Sequence, residues 1–289
     1  MSIIFGILSS ILGAVSGSYR KKSIDLAKLP NGLLALMGPL IGLFVIYLFV
    51  FIFGINDNIF TDKRVIFLLF LGGVFDGFAG LMEVYVIKNT KVSKVLPYAS
   101  FDKLFIILLG FLFFYGNPGY TSFKTLLISV LTVIIIMLFS IDYKNLGIEK
   151  EVKIYIFVKF LYACTTLIMG RILFEYSTLD IFAVIIFFYI LFHTLNNIIL
   201  KKDFSLLFKQ TKQFYKYRFL SSLLGRLSFI LSIMIIESSG VLIASLLSFI
   251  TIVFSVFSMK LILGDSPTPK QIILSILVIF MIGIGYYFK

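Results

Sequence analysis

Eight ionisable side chains stand inside long apolar stretches of this chain: Asp76, Glu83, Asp102, Lys103, Lys159, Arg171, His193 and Arg226. A charge at the centre of a hydrocarbon layer costs about 2.5–3.5 kcal/mol on insertion scales, so such groups must face a cavity or one another. Asp76 has the most suggestive setting. Glu83 follows seven residues later, which on a helix is close to two full turns and puts both carboxylates on nearly one face. Gly72, Gly73, Gly77, Ala79 and Gly80 surround Asp76. The Gly73 and Gly77 pair is explained by close helix packing without any function. Asp76 itself fits a substrate, ion or proton site, or else a structural ion pair.

The other groups divide by position. Asp102 and Lys103 follow Pro97, which bends a helix and frees a carbonyl near its middle. Neighbouring residues point about 100° apart on a helix, so at most one of the two faces a cavity squarely, and Asp102 is the better choice. Lys159 and Arg171 lie nearer the ends of their stretch, where long side chains reach the interface. Arg171 and Glu175 also have the spacing of a helical ion pair. His193, with Asn196 and Asn197, fits a hydrogen bond between helices. Tyr98 and Tyr162 fit the wall of a cavity or ordinary packing, and their rings can stack on a cation.

Several chemistries are excluded. A single histidine rules out a multi-histidine metal site. There is no Ser-His-Asp arrangement, no His-Glu-x-x-His and no Cys-x-x-Cys, and the phosphate-binding loop Gly-x4-Gly-Lys-Ser/Thr is missing. The one cysteine, Cys164, has no partner within the chain for a disulfide. No catalytic residue, metal or cofactor is expected, and the chain is not read as an enzyme.

The elements that carry these residues are membrane spans. Hydrophobic residues make up 60% of the 289, charged ones 14%. That leaves too little charge to coat a soluble core of this size. A helix needs about 20 mostly apolar residues to cross a bilayer. Ten stretches meet that need: 2–19, 32–53, 65–87, 92–115, 122–140, 153–174, 179–200, 218–236, 239–262 and 270–288. Backbone groups in lipid must be satisfied internally, so each stretch is expected to be helical. A transmembrane barrel is excluded, because its strands would alternate apolar and polar residues. The first stretch has no preceding Lys or Arg and no Ala-x-Ala-like site after it, so it reads as a span rather than a cleaved leader. The longest connection, 201–217, is too short for a soluble domain.

Charge is distributed unevenly between the two sides. Connections after odd-numbered spans carry 18 basic residues, from Arg20, Lys21 and Lys22 to Arg218, Lys260 and Lys270. The opposite side, with both termini, carries Lys63, Arg64, Lys124 and Lys289. The positive-inside rule then puts the basic connections in the cytoplasm and both termini outside a cell membrane. The net charge of +12 is accounted for by anionic lipid contact, with no nucleic-acid role.

The chain also repeats itself. Val92 to Pro118 lines up with Gly240 to Asp265. Each copy is a span that ends at a glycine, Gly116 or Gly264, before a short proline-containing turn. A last apolar span then begins, at Leu126 to Ser129 or Ile272 to Ser275. The fourth and fifth spans thus echo the ninth and tenth. Five is odd, so the halves 1–144 and 145–289 are inverted relative to each other, as in many secondary transporters. The offset of about 150 residues places Asp76 opposite Arg226. The two would clamp a zwitterion, amine to Asp76 and carboxylate to the forked guanidinium. Equally, they would neutralise each other, or release a carboxylate that takes up a proton.

In these features the chain resembles the drug/metabolite transporter superfamily, most nearly its EamA-like branch. The turns here are Gly116-Asn117 and Gly264-Asp265 where that family usually has Gly-Glu, and a proline common midway in the fourth and ninth helices is absent. The resemblance implies transport of small metabolites, amino acids, amines or nucleotide-sugars through a central cavity, with termini in the cytoplasm. The expectation is therefore an all-α integral membrane protein of ten transmembrane helices in two inverted five-helix repeats. Its substrate or ion site is drawn from Asp76, Arg226, Asp102, Glu83, Tyr98 and Tyr162. Its partners are a small-molecule substrate, with or without a coupling proton or ion, and the lipid bilayer. A monomer suffices and a dimer is compatible. The alternatives are a lipid carrier or flippase of the same fold and a non-transporting structural membrane subunit.

Overall fold

The computed structural model describes residues 2–90, 101–114, 149–264 and 269–287, with a few positions among 95–99 and 127–135. Among the described residues there are ten α-helices and no strand. They are α1 (Ser2–Leu26), α2 (Asn31–Phe53), α3 (Lys63–Asn89), α4 (Phe101–Phe114) and α5 (Lys150–Ile172). After them come α6 (Thr178–Ile199), α7 (Lys212–Ser239), α8 (Val241–Ser248), α9 (Ile250–Leu263) and α10 (Pro269–Tyr287). Six of them, α1, α2, α3, α5, α6 and α7, are long and apolar enough to cross a membrane. The protein is an all-α, multi-pass membrane protein.

Local signals explain where the helices stop and start. Asp62 caps α3 by accepting from the Arg64 and Val65 amides. Ser177 and Asp180 form a reciprocal capping box on α6. At the C-terminus of α9, Gly264 takes the left-handed conformation (φ 81°, ψ 4°) that glycine adopts without a Cβ penalty. The expected ninth span is broken. It runs as α8 and α9 with a turn at Phe249. The expected fourth span is also interrupted: Tyr98 and Ala99 lie in a 3-10 turn before α4 begins at Phe101. The turn at Gly116-Asn117, Pro97 and most of the span 122–140 lie outside the described residues, as does the boundary between residues 144 and 145.

Two helices are longer than hydropathy suggests. α1 continues past residue 19 through Arg20, Lys21 and Lys22 to Leu26, and α7 begins at Lys212 rather than 218. Charges do not end a helix when its backbone bonds continue; they only end its apolar run. Arg20 and Arg218 turn into the bundle instead of flanking it.

Packing places α1 against α7 and α3 against α5, with α2 on α6. α1 also lies on α9, and α4 on α5. Small residues permit the close approaches. Gly73 meets the Phe188 side chain and backbone, and Gly77 meets the Phe192 ring, so the glycine face of α3 is spent on α6. Between α1 and α7 the small residue is serine: Ser228 Oγ donates to the Ser9 carbonyl and Ser16 Oγ to the Ser221 carbonyl, both at 2.7 Å. Hydroxyls of this kind join helices where hydrocarbon offers no competing partner.

Candidate functional site

Most ionisable residues of the spans converge on one central cavity of about 370 Å³. This is the size of a small-ligand site. α3 supplies Asp76 and Glu83, as the two-turn spacing requires, and α7 supplies Arg218, Ser222 and Arg226. Arg20 comes from α1, Tyr162, Thr165 and Thr166 from α5, Tyr189 from α6. Asp102 and Lys103 of α4 complete the wall, and Gly38 and Pro39 of α2 form its back.

The cavity is off-centre along the bundle. Arg20 lies near the end of α1, Ala35 near the start of α2, Glu83 near the end of α3 and Arg218 near the start of α7. Those ends all adjoin the basic connections 27–30, 90–100 and 200–211. Toward the other end of the bundle Ile46, Leu69, Ile172, Phe182 and Ile233 pack into an apolar plug. Beyond that plug the chain is laced together: the Asn56 amide donates to Asp180 Oδ1 at 2.8 Å, and Arg64 pairs with Glu175.

Two electrostatic arrangements coexist in the cavity. Glu83 is 5% exposed and fully engaged. It pairs with Arg20, accepts from the Tyr162 hydroxyl at 2.8 Å and faces Lys159 Nζ at 3.4 Å. Lys159, itself 8% exposed, also sits over the Tyr155 and Tyr162 rings at 4.6 and 5.2 Å. This cluster ties α1, α3 and α5 together. Asp76 and Arg226 differ. Both line the cavity and interact through space, with the Thr165 hydroxyl beside Asp76. Among the described residues neither closes into an ion pair within 4 Å.

Room for the α7 arginines comes from α2. A Cβ on Gly38 would approach Arg218 Nη2 to 3.0 Å, and one on Gly42 would approach Arg226 Nε to 2.5 Å. Arg218 is 3% exposed; its Nη2 donates to the Leu34 carbonyl at 2.7 Å while Nε has no partner among the described residues.

A second cavity of about 330 Å³ adjoins the first across Asp102, Lys103, Gly225 and Phe229. It is lined with hydroxyls, among them Ser9, Ser228, Ser232 and Ser255, and by Lys159. A third, of about 220 Å³, runs from Arg20, Glu83 and Lys159 to Lys21, Ile87 and Leu263 at the basic end of the bundle.

Several expectations require correction. Lys159 does not reach the interface: it is mid-helix and turned inward because Glu83 offers a counter-charge. Glu175 pairs with Arg64, not with Arg171, whose guanidinium lies over the Phe174 ring at 5.9 Å. Asp102 and Lys103 both face the cavity, because the flexible lysine folds back onto the carboxylate at 2.9 Å. Tyr98 does not line this cavity; it packs in its 3-10 turn against Phe101 and the cluster around Val86 and Tyr155. His193 makes no helix-bridging hydrogen bond among the described residues, while Asn197 Nδ2 donates to the His193 carbonyl on its own helix. Arg20 and Arg218 line the cavity, although hydropathy assigns them to connections. Helical periodicity could have found them. Ser9, Gly13, Ser16 and Arg20 form one stripe of small and polar residues, and Arg218, Ser221, Gly225 and Ser228 form another.

No protein-family model matches the chain, and no curated protein matches it. Among solved structures, 28 chains match, so the fold has been seen before. One is a crystal structure described only as that of a protein, with a TM-score of 0.74 and 13% identity. The match covers 99% of this chain and 96% of that one. At so low an identity the likeness shows the fold alone.

Proposed function

We propose that this protein is a secondary transporter that moves a small polar metabolite across the cell membrane by alternating access. The observation that carries the reading is the separated Asp76 and Arg226 across a polar cavity inside a bundle of membrane helices. A merely structural pair would close up, because two opposite charges in a low-dielectric setting gain most at contact. Held apart, they complement a ligand with a cation and an anion of its own.

The ten-helix inverted repeat and membership of the drug/metabolite transporter superfamily belong to the same proposal. Two features support the repeat. The breaks at Tyr98–Ala99 and at Phe249 fall about 150 residues apart, close to the offset of the repeat. The packing of α1 on α7 becomes that of α5 on α3 when the halves are exchanged, and α1 on α9 becomes α5 on α4. Alternating access would open the apolar plug around Phe182 while closing the basic end, with the clamp at the pivot.

The test is uptake into proteoliposomes of amino acids, amines, organic acids and nucleotide-sugars, with and without a pH gradient. Wild-type protein should accumulate or exchange one ligand class, and Asp76→Asn should insert normally but abolish that flux. Equal flux in both proteins would remove Asp76 from the mechanism; flux of none would remove the transporter reading.

A further inference from the structure

The central cavity has more positive charge than its carboxylates can neutralise. Glu83 is taken up by Arg20, and Asp102 by Lys103. Lys159 shares the same Glu83 and so adds a charge without a carboxylate of its own. Asp76 alone then remains for Arg218 and Arg226, leaving an excess of one positive charge on this wall among the described residues, and of two when Lys159 of the adjoining cavity is added. Lys21, whose neighbour Asp25 lies 2.7 Å away, does not alter the count.

The excess is concentrated on one helix face. Arg218, Ser222 and Arg226 succeed one another at intervals of four residues along α7, and all three line the cavity. Arg218 is buried, has an unpartnered Nε, and has no carboxylate within 4 Å among the described residues. Ser222 is tied to the Gly38 carbonyl at 3.1 Å, which fixes the wall between the two guanidiniums. The glycines Gly38 and Gly42 hollow α2 where those guanidiniums sit. A buried guanidinium without a counter-charge is costly, and no lipid tail can supply one.

We infer that the substrate is a small organic anion with two acidic groups, carboxylate or phosphate, one directed to Arg226 and the other to Arg218. The two α-carbons stand about 12 Å apart along the helix at 1.5 Å per residue. Their guanidinium groups lie beside Gly38 and Gly42, only four residues or about 6 Å apart along α2, a spacing that suits acidic groups a few carbons apart. Asp76 then faces whatever cationic or hydroxyl group the carbon chain carries between them. The inference rests on the transporter reading of this cavity and narrows its substrate class: simple amines, which add positive charge, are excluded.

The experiment is a thermal-shift and equilibrium-binding series on the purified full chain at fixed sodium chloride. The probes are succinate, glutamate and glycerol 3-phosphate as anions, putrescine as a diamine, and alanine as a neutral zwitterion. At least one of the anions should bind and stabilise, with putrescine and alanine weaker. Arg226→Gln should weaken that anion by about 10- to 100-fold, the span expected for a charge-assisted hydrogen bond. Arg226→Lys, which keeps the charge but not the fork, should lose less. Arg218→Gln should show the same loss; if that buried variant does not fold, the Arg226 pair decides. Binding of alanine or putrescine that is lost in Asp76→Asn, with no effect of the anions, would overturn the anion inference and leave the transporter reading standing. Equal stabilisation by added chloride alone would overturn it too. No response to any probe, together with no flux in proteoliposomes, would overturn both.

Discussion

Replacing Glu83 by glutamine removes one negative charge and almost no volume from the most heavily engaged carboxylate in the bundle. Glu83 receives Tyr162, Arg20 and Lys159 from two other helices. Glutamine keeps one acceptor oxygen for Tyr162 but leaves Lys159 buried beside no counter-charge. Breaking a buried pair by removing one partner costs about 3–5 kcal/mol. The Lys159 contact is long at 3.4 Å and Arg20 is partly exposed, so the lower end, about 3 kcal/mol, applies. At roughly 2–4 °C per kcal/mol for a chain of this order, the melting temperature should fall by roughly 6–12 °C. The cost comes from an orphaned cation, so removing that cation should relieve it. The double variant Glu83→Gln/Lys159→Met should regain at least half of the lost melting temperature. A fluorescence-detected melt in one detergent, at one protein concentration, reads both. A single variant within about 2 °C of wild type, or a double variant no better than the single, would refute the arrangement of charges described here.

Other outcomes follow from the same contacts. Asp76→Asn removes a carboxylate that no ion pair within 4 Å holds among the described residues, so its melting temperature should stay close to wild type or rise while transport is lost; a large destabilisation would make Asp76 structural. Gly77→Val would drive a side chain into the Phe192 ring where α3 meets α6, an overpacking cost of about 1–3 kcal/mol that the same melt should register. By contrast Arg64→Ala, at an exposed ion pair with Glu175, should leave the melt unchanged, because solvent screens such pairs. Gly42→Ala should displace Arg226 and reduce ligand binding without unfolding the protein, since the Cβ meets the ends of flexible side chains rather than backbone.

Much of the site was legible because the membrane makes ionisable residues rare. Asp76, Glu83, Asp102, Tyr162 and Arg226 all line the cavity, and each of the four charged ones stands inside an apolar run where a charge needs a reason. Arg20 and Arg218 were not legible by that route. They stand at the edges of their apolar runs, where hydropathy cannot tell a flanking charge from an inward-facing one. Lys159 was misplaced for a related reason: its length suits the interface as well as a buried partner, and only the position of Glu83 on another helix decides. The serines between α1 and α7 carry no hydropathy signal, yet they set the distance between the two helices that hold Arg20 and Arg226. The breaks at residues 98–99 and 249 were hidden as well, since helix and turn are equally apolar there.

Alternating access requires that water reach the cavity around Ser222, Asp76 and Arg226 from each side of the membrane in turn. Thiol accessibility tests this directly. Ser222→Cys, made on a Cys164→Ser background, places the one cysteine on the cavity wall between the α7 arginines. In proteoliposomes with a membrane-impermeant maleimide added to either face, the account predicts labelling from both sides. The substrate should slow both reactions. Labelling from one side only, or from neither, would contradict alternating access through this cavity.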